Sequence, residues 1–212
     1  MSLPRIYPIL DTETLKNLGL SLENAAAGLL EGGATLIQLR HKGHWGREIY
    51  ASAQTVAGLC RQAGAQLIIN DRADFAMLLG AGLHLGQNDL PPRDGRNLLG
   101  NAAMIGYSCH SAGQISIARG EPVDYVALGP IFPTASKRDP DPVVGVDQLR
   151  FCRTLLERPL VAIGGITLEN AVGVLRAGAD SVAILSGVIP QPASAHAVRS
   201  RMEQWRALAA AV

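Results

Sequence analysis

Eight short runs rich in Ile, Val and Leu recur along the chain, and each is followed by turn residues and a longer amphipathic stretch. The runs read RIYPIL, TLIQLR, QLIIND, GLHLG, MIGYS, YVALGP, LVAIGG and SVAIL. Glycine follows the helical stretches in EGGA, QAGA, GAGL and RAGA, as expected where a helix ends and a buried strand begins. Strands that alternate with helices predict a parallel sheet.

The chain length limits how such units can be arranged. Eight strand and helix units within 212 residues match the lower size limit of a (β/α)8 TIM barrel. A doubly wound sheet is the alternative, in which the first and last runs would not pair. No linker, charge run or low-complexity segment divides the chain, so we predict a single α/β domain over residues 1–212.

Composition excludes several classes of partner. The formal net charge is +1 and no apolar run approaches the length of a membrane span, so neither nucleic acid nor a membrane is expected as a partner. The three cysteines, Cys60, Cys109 and Cys152, match no metal or redox motif and predict reduced thiols in the cytoplasm. An anionic small molecule would therefore need a local binding site. The sequence gives no oligomeric state.

The second run ends in polar residues that share one face. In a strand, Gln38, Arg40 and Lys42 point to one side and Leu39 to the other. The C-terminal ends of barrel strands form the active-site face, so these polar side chains are expected at the barrel mouth. Two neighbouring cations without a visible partner favour a bound polyanion, and solvated loop charges are an alternative of equal weight.

Carboxylates follow the third and fourth runs. Asp71 ends IIND and Asp89 lies in GQNDLPP, so both are expected at the same end of the barrel as the cations. Two carboxylates beside a diphosphate are typical of a Mg²⁺ site, since the substrate supplies further oxygens. Taken singly, Asp71 also fits a helix N-cap and Asp89 an Asx turn.

The last three strand ends supply hydroxyls, a cation and glycines. Thr134, Ser136 and Lys137 lie in GPIFPTASK after the sixth run, whereas Gly165 and Ser186 lie in the glycine-containing ends AIGGI and ILSGV. Barrels commonly bind a phosphate at the last two strand ends. Together with the Mg²⁺ and diphosphate site, this predicts two phosphorylated substrates in one mouth.

Four further residues lie near these strand ends. Ser108, in GYSCH, is expected to donate or accept a hydrogen bond with substrate, and Cys109 to be a small packing residue. His110 fits either a helix start or a proton carrier. His84 lies inside a strand and is expected to be structural.

Seven of these segments together resemble the thiamine-phosphate synthase family. The segments are QLRHK, IINDRADFAM, GLHLGQNDLP, GYSCH, DYVALGPIFPTASK, VAIGGITLEN and GADSVAILSGV. They occur in the family's order, and the resemblance extends from about Arg5 to Pro190. It implies a (β/α)8 fold and a transferase that joins hydroxymethylpyrimidine diphosphate to a thiazole phosphate, releasing diphosphate.

The resemblance also implies roles for individual residues. The residues implied to bind substrate are Gln38, Leu39, Arg40, His41, Lys42, Asn70, Ser108, Thr134, Ala135, Ser136, Lys137, Gly165, Leu185 and Ser186. Arg40 and Lys137 would stabilise the leaving diphosphate, and Asp71 and Asp89 would bind Mg²⁺. The family commonly has Thr where this chain has Ser136, which keeps the hydroxyl and loses a methyl group.

Two rival functions share the fold. A thiazole tautomerase would bind only the thiazole phosphate, without metal or diphosphate, and the presence of Arg40, Asp71, Asp89 and Lys137 argues against it. A non-catalytic phosphate-binding barrel would bind both substrates without turnover. Either rival would leave the predicted fold unchanged.

Overall fold

The computed structural model describes residues 3–134 and 141–212, and its eight described strands form one closed parallel barrel in chain order. The strands are β1 (Ile6–Asp11), β2 (Leu36–Arg40), β3 (Gln66–Asn70), β4 (Gly82–Leu85), β5 (Ile105–Cys109), β6 (Tyr125–Leu128), β7 (Leu160–Ile163) and β8 (Ser181–Ile184). Strand β1 pairs with β8, so the predicted (β/α)8 barrel is confirmed and the doubly wound alternative is wrong.

Helices follow the strands along the described chain. They are α1 (Thr12–Asn17), α2 (Leu22–Glu31), α3 (Arg47–Gln62), α4 (Ala73–Leu79), α5 (Pro92–Leu99), α6 (Ala112–Ala118), α7 (Val146–Leu155), α8 (Ala171–Arg176) and α9 (Ala195–Ala210), with a 3-10 turn at Ser186–Val188. The predicted glycine stops are confirmed, because Gly33, Gly64, Gly80 and Gly178 all have positive φ. None of the helices in the described ranges has both the length and the apolar character that crossing a bilayer demands.

Alternation along the strands divides the core into two layers. Inside the barrel, apolar side chains pack around Tyr7 and Tyr125, whose rings meet edge to face with centroids 5.8 Å apart. The other face of each strand packs against the helices, as Leu39 does from β2. Polar side chains that point inward therefore stand in the barrel interior or at its mouth.

Arginine side chains join successive units at the N-terminal end of the barrel. The Asp124 carboxylate, before β6, accepts hydrogen bonds from Ile105 N at 2.6 Å and from Arg96 Nη2 at 2.8 Å. The Asp180 carboxylate, before β8, repeats this arrangement with Leu160 N at 2.7 Å and Arg153 Nη1 at 2.6 Å. Each carboxylate thus connects the loop before its own strand to the first residue of the preceding strand and to an arginine of the helix before that strand. We call these two groups the arginine clamps.

The last helix closes the molecule against α2. Gly28 of α2 lies so close to α9 that a Cβ there would stand 2.4 Å from Ala195 O. Further along α9, Trp205 Nε1 donates to Gly187 O of the 3-10 turn at 3.1 Å. The closing helix thus also fixes the 3-10 turn that follows β8.

Candidate active site

A cross-strand ion pair joins the ends of β1 and β2. Asp11 and Arg40 stand opposite each other in the register, and the Arg40 guanidinium donates to the Asp11 carboxylate. The other Asp11 oxygen accepts from Thr14 N and Thr14 Oγ1, both at 2.9 Å, so the same side chain caps α1. Arg40 was interpreted from the sequence as a cation without a partner. That interpretation is wrong, since a buried carboxylate anchors it.

Lys42 is paired as well, with the first of the two predicted metal ligands. Its Nζ lies 2.5 Å from Asp71 Oδ2. Asp71 has φ of +66°, a backbone conformation uncommon for residues other than glycine, and its N–H donates to His84 O at 2.8 Å. The N-cap alternative for Asp71 is wrong, because Arg72 is the N-cap residue of α4 and makes no capping bond with its side chain.

Asp89 stands near Asp71 on the next loop. Its Oδ2 accepts from Gly86 N at 2.7 Å, which holds the loop after β4. Burial raises the pKa of the Asp71 carboxyl, the Lys42 ammonium lowers this pKa, and the neighbouring Asp89 raises it. Two hard carboxylate donors that repel each other fit Mg²⁺, which is commonly bound by one or two carboxylates plus substrate oxygens.

The interior below the mouth contains a chain of hydrogen bonds. Gln38 Nε2 donates to Tyr7 Oη at 2.8 Å, and Tyr7 Oη lies 2.8 Å from Tyr125 Oη. Tyr125 Oη lies 3.0 Å from His84 Nδ1, and His84 Nε2 lies 2.9 Å from Ser108 Oγ. Of the residues predicted to bind substrate, Gln38 and Ser108 are the two ends of this chain.

Asn70 ends β3 on the same inward face. Its side chain is buried, and its Nδ2 has no hydrogen-bond partner among the residues that the structure describes. Asn70 pairs in register with His84 of β4, next to the loops of Asp71 and Asp89. A buried amide donor in this position fits a substrate acceptor.

The loops after β6 and β7 pack against each other through glycine. Ile131 N donates to Ile163 O at 2.9 Å and Phe132 N to Gly164 O at 3.0 Å. Gly165 has φ of +64°, and a Cβ on it would lie 2.6 Å from Pro133 O. Only glycine fits here, so both the turn and the close approach require it.

The remaining predicted residues include Leu185 and Ser186, which come directly after β8, with Ser186 the first residue of the 3-10 turn. His41 Nδ1 contacts Thr12 Oγ1 at 2.7 Å, linking the loops after β1 and β2, whereas the side chain of Leu39 is buried against the helices and leaves only its backbone for a ligand. Thr134 is the last described residue before the gap at 135–140. The predictions for Ala135, Ser136 and Lys137 lie outside the described residues.

Two cavities lie at the opposite end of the barrel. Each has a volume of about 390 Å³. One is lined by Gln66 and Gly82, at the starts of β3 and β4, and the other by Met104 and Asp124, before β5 and β6. Neither cavity is lined by a predicted site residue. The chemistry-bearing side chains mark the C-terminal end instead.

Comparison with known proteins identifies the family. A family model described as thiamine monophosphate synthase matches residues 6–188. The chain belongs to the thiamine monophosphate synthase family. The thiamine-phosphate synthase of Koribacter versatilis is 44% identical over 196 residues, which cover 91% of this chain and 92% of that protein. The thiamine-phosphate synthase of Methanospirillum hungatei is 42% identical over 189 residues, which cover 89% and 92%.

A solved structure agrees with this assignment. The thiamine phosphate pyrophosphorylase from Pyrococcus furiosus superposes with a TM-score of 0.84 at 31% identity, covering 98% of this chain and 96% of that one. The resemblance inferred from the seven segments is therefore confirmed. Membership of the thiamine monophosphate synthase family makes this chain an enzyme of the transferase class.

Sequence reasoning missed three side chains that the structure places beside predicted site residues. Asp11 ends β1 as Asp71 follows β3, so the strand-end criterion applied to Asp71 would also have found it. Tyr7 and Tyr125 carry no such signal, because an aromatic residue inside a strand is usually a core residue. Their link to the site depends on a contact between residues 118 positions apart.

The structure shows the surroundings of Cys109 and His110, which follow Ser108 in the chain. Cys109 is fully buried, and burial raises the pKa of its thiol to about 12, so it is protonated at neutral pH and is a packing residue as predicted. His110 Nδ1 lies 2.6 Å from Gly129 O, and Ser111, not His110, caps α6. His110 therefore lies directly before the start of α6, where its N–H donates to Gln114 Oε1 at 2.6 Å, and its interpretation as a proton carrier stays a prediction. In this family member the thiol is thus no candidate nucleophile.

Proposed function

We propose that this protein is a thiamine-phosphate synthase that joins hydroxymethylpyrimidine diphosphate to a thiazole phosphate and releases diphosphate. The observation that carries the proposal is the meeting of Arg40, Lys42, Asp71 and Asp89 at one end of the barrel. The family assignment gives the reaction class, and this cluster has the charge pattern that a metal-bound diphosphate needs.

The diphosphate half of the first substrate would bind between the two cations. Arg40 is anchored by Asp11 and needs little rearrangement to receive an anion, whereas Lys42 is half exposed and can exchange Asp71 for a phosphate oxygen. We expect Asp71 and Asp89 to bind Mg²⁺. When bound, Mg²⁺ would act as a Lewis acid that offsets negative charge on the leaving diphosphate.

The second substrate would bind across the mouth. The backbone around Gly165 and Ser186 presents small residues, and the Leu185 and Ser186 turn is fixed from behind by Trp205. This arrangement supports a phosphate site of the kind common after the last two barrel strands. Thr134, Ala135 and Ser136 complete the proposed thiazole phosphate site, and Lys137 the diphosphate site.

The residues suit a dissociative substitution. The bond between the methylene carbon and the diphosphate oxygen breaks with its electron pair leaving on the oxygen, and the aminopyrimidine ring stabilises the cation. The thiazole nitrogen then donates its lone pair to the methylene carbon, forming the new C–N bond. The chain needs to neutralise charge and align the two rings, and no enzyme nucleophile takes part. The protonated Cys109 thiol agrees with this.

The direct test mixes purified protein, Mg²⁺ and both substrates and measures thiamine phosphate and diphosphate. We expect the two products in equal amounts. Interconversion of thiazole phosphate tautomers without condensation would instead identify an isomerase. Tight binding of both substrates without turnover would identify a phosphate-binding barrel.

Matched variants test the metal site. Asp71→Asn is expected to lower turnover, because the activation free energy should rise by several kcal/mol, the scale of Lewis-acid stabilisation. Asp74→Asn removes an exposed carboxylate three residues away that pairs only with Arg72 among described residues, and should leave turnover unchanged. Full activity of Asp71→Asn at limiting Mg²⁺ would remove Asp71 from the metal site.

A further inference from the structure

Donors and acceptors alternate in one order along the hydrogen-bond chain inside the barrel, from Gln38 to Ser108 at the mouth. It begins with Gln38, whose amide nitrogen donates to Tyr7 Oη. Tyr7 and Tyr125 are both fully buried, and each hydroxyl has a single proton. Since Tyr7 Oη already accepts from Gln38, its own proton finds its acceptor in Tyr125 Oη. The reverse arrangement would leave the Tyr7 proton buried without an acceptor.

The same counting sets the tautomer of the histidine. Tyr125 Oη accepts from Tyr7, so its proton goes to His84 Nδ1, 3.0 Å away. An imidazole that accepts at Nδ1 has its proton on Nε2 when neutral. His84 Nε2 then donates to Ser108 Oγ at 2.9 Å. The Ser108 hydroxyl accepts on its inner side, so its own proton is available toward the mouth.

Packing holds the central members of this chain in place. The Tyr125 ring passes over β5 where a Cβ on Gly106 would lie 2.0 Å from the ring carbon that bears the hydroxyl. His84 stacks on the same ring, with centroids 5.6 Å apart and planes 24° apart. Tyr7 meets it edge to face. These contacts restrict the hydroxyls and the imidazole to one arrangement.

We propose that Tyr7, Tyr125 and His84 are positioning residues that make Ser108 a hydrogen-bond donor to the substrate in the mouth. The proposal rests on the proposed function for the identity of that substrate. Ser108 so oriented favours an acceptor, either a phosphate oxygen or an unprotonated ring nitrogen, and disfavours the exocyclic amino group of the pyrimidine. The barrel interior thereby sets which edge of the substrate Ser108 can contact.

The tautomer is measured in the free protein, without substrate. Two-bond ¹H–¹⁵N correlation spectra of histidine-labelled protein distinguish Nε2–H from Nδ1–H imidazole, and the His84→Gln spectrum identifies the His84 signals. We expect the Nε2–H form. The Nδ1–H form, or an imidazolium at neutral pH, would overturn the proposal whether or not the protein makes thiamine phosphate.

Variants then test the effect on Ser108. Tyr125→Phe removes the donor to His84 and should shift His84 toward a mixture of tautomers. The kcat/KM for the pyrimidine diphosphate should fall about tenfold, the scale of one lost hydrogen bond to a charged group. The KM for thiazole phosphate should not change. Tyr50→Phe, at a half-buried tyrosine of α3 that contacts Phe75, is the matched control and should leave both the tautomer and the kinetics unchanged.

A double variant separates positioning from a structural role. In a Ser108→Ala background, Tyr125→Phe should cost no further activity, because the network acts through Ser108. The same tenfold loss in that background would overturn the proposal. If Tyr125→Phe does not fold, Tyr7→Phe breaks the chain one step earlier and the wild-type spectrum alone still decides the tautomer. Absence of any condensation in a wild-type protein with the expected tautomer would instead refute the proposed function.

Discussion

The Asp11 carboxylate fixes the position of the Arg40 guanidinium at the barrel mouth. Asp11 is 6% exposed in its side chain, Arg40 is 17% exposed, and one carboxylate both pairs with the arginine and caps α1. A cation held in this way meets an arriving anion with little loss of side-chain entropy.

Truncation of Asp11 tests this anchoring. Asp11→Ala should lower the free energy of unfolding by about 3 kcal/mol, because it leaves a largely buried cation without its partner. It should also lower kcat/KM for the pyrimidine diphosphate. Asp74→Ala, which breaks an exposed pair, should cost at most about 1 kcal/mol and no activity. Denaturant unfolding and initial rates check both, and equal losses in the two variants would contradict the anchoring role.

Lys42 gives a second prediction at this scale, which depends on the proposed Mg²⁺ site. Its ammonium contacts Asp71 in the free protein, so a divalent cation must displace it. Lys42→Met should therefore bind Mn²⁺, used as a spectroscopic substitute, about tenfold more tightly in the absence of substrate, while binding the pyrimidine diphosphate more weakly. Electron paramagnetic resonance titration measures the first and calorimetry the second.

Lys16 provides the control for Lys42. It lies in the last turn of α1 and is exposed, so Lys16→Met should change neither affinity. Tighter Mn²⁺ binding in both variants would reflect net charge alone. Unchanged Mn²⁺ affinity in Lys42→Met would show that the ammonium does not occupy the cation's position.

At the scale of elements, the contact between the loops after β6 and β7 depends on Gly165. Gly80 has the same backbone conformation but no close neighbours, so the two glycines can be compared. Gly165 and Gly80 have nearly the same φ, +64° and +62°. A Cβ on Gly165 would stand 2.6 Å from Pro133 O, and one on Gly80 would have nothing within 4 Å. The pair therefore separates steric contact from backbone strain.

Alanine at these two positions gives the corresponding prediction. Gly80→Ala should cost about 1–2 kcal/mol of stability, the price of a left-handed conformation for a residue with a Cβ. Gly165→Ala should add about 1–3 kcal/mol for the displaced loop and raise the KM for thiazole phosphate. Thermal unfolding and steady-state kinetics distinguish them. The same loss of stability in both, with unchanged KM, would contradict the loop contact.

Sequence patterns predicted elements well where a period or a glycine marked them. The eight strands and the four glycine stops were predicted, whereas α1 was missed because it follows β1 without a break and buries only Leu15, which leaves no apolar period to read. Strand ends located Arg40, Asp71 and Asp89. The pairing of Tyr7 with Tyr125 was not predictable, because it depends on strand register across the closed barrel.

Over the whole molecule, the C-terminal helix α9 is held against α2 by close packing at Gly28. Alanine at Gly28 tests this packing, and alanine at Gly58, in α3, is the control with the opposite expected sign. Gly28→Ala should lower stability by about 1–3 kcal/mol, since its Cβ would stand 2.4 Å from the Ala195 backbone oxygen. Gly58→Ala, in α3 with nothing within 4 Å of its Cβ, should raise stability by about 0.5–1 kcal/mol. Denaturant melts check both signs. A gain in Gly28→Ala would show that α9 is not held close.

The arginine clamps bear on protein engineering. They tie the strands together at the end of the barrel opposite to Arg40, Asp71 and Asp89, and their partners are carboxylates and backbone groups of that end. Loops grafted onto the mouth from another phosphate-using barrel would therefore leave these ties intact. The scaffold is suited to loop exchange, with new specificity introduced at one end and the connections that hold the strands retained at the other.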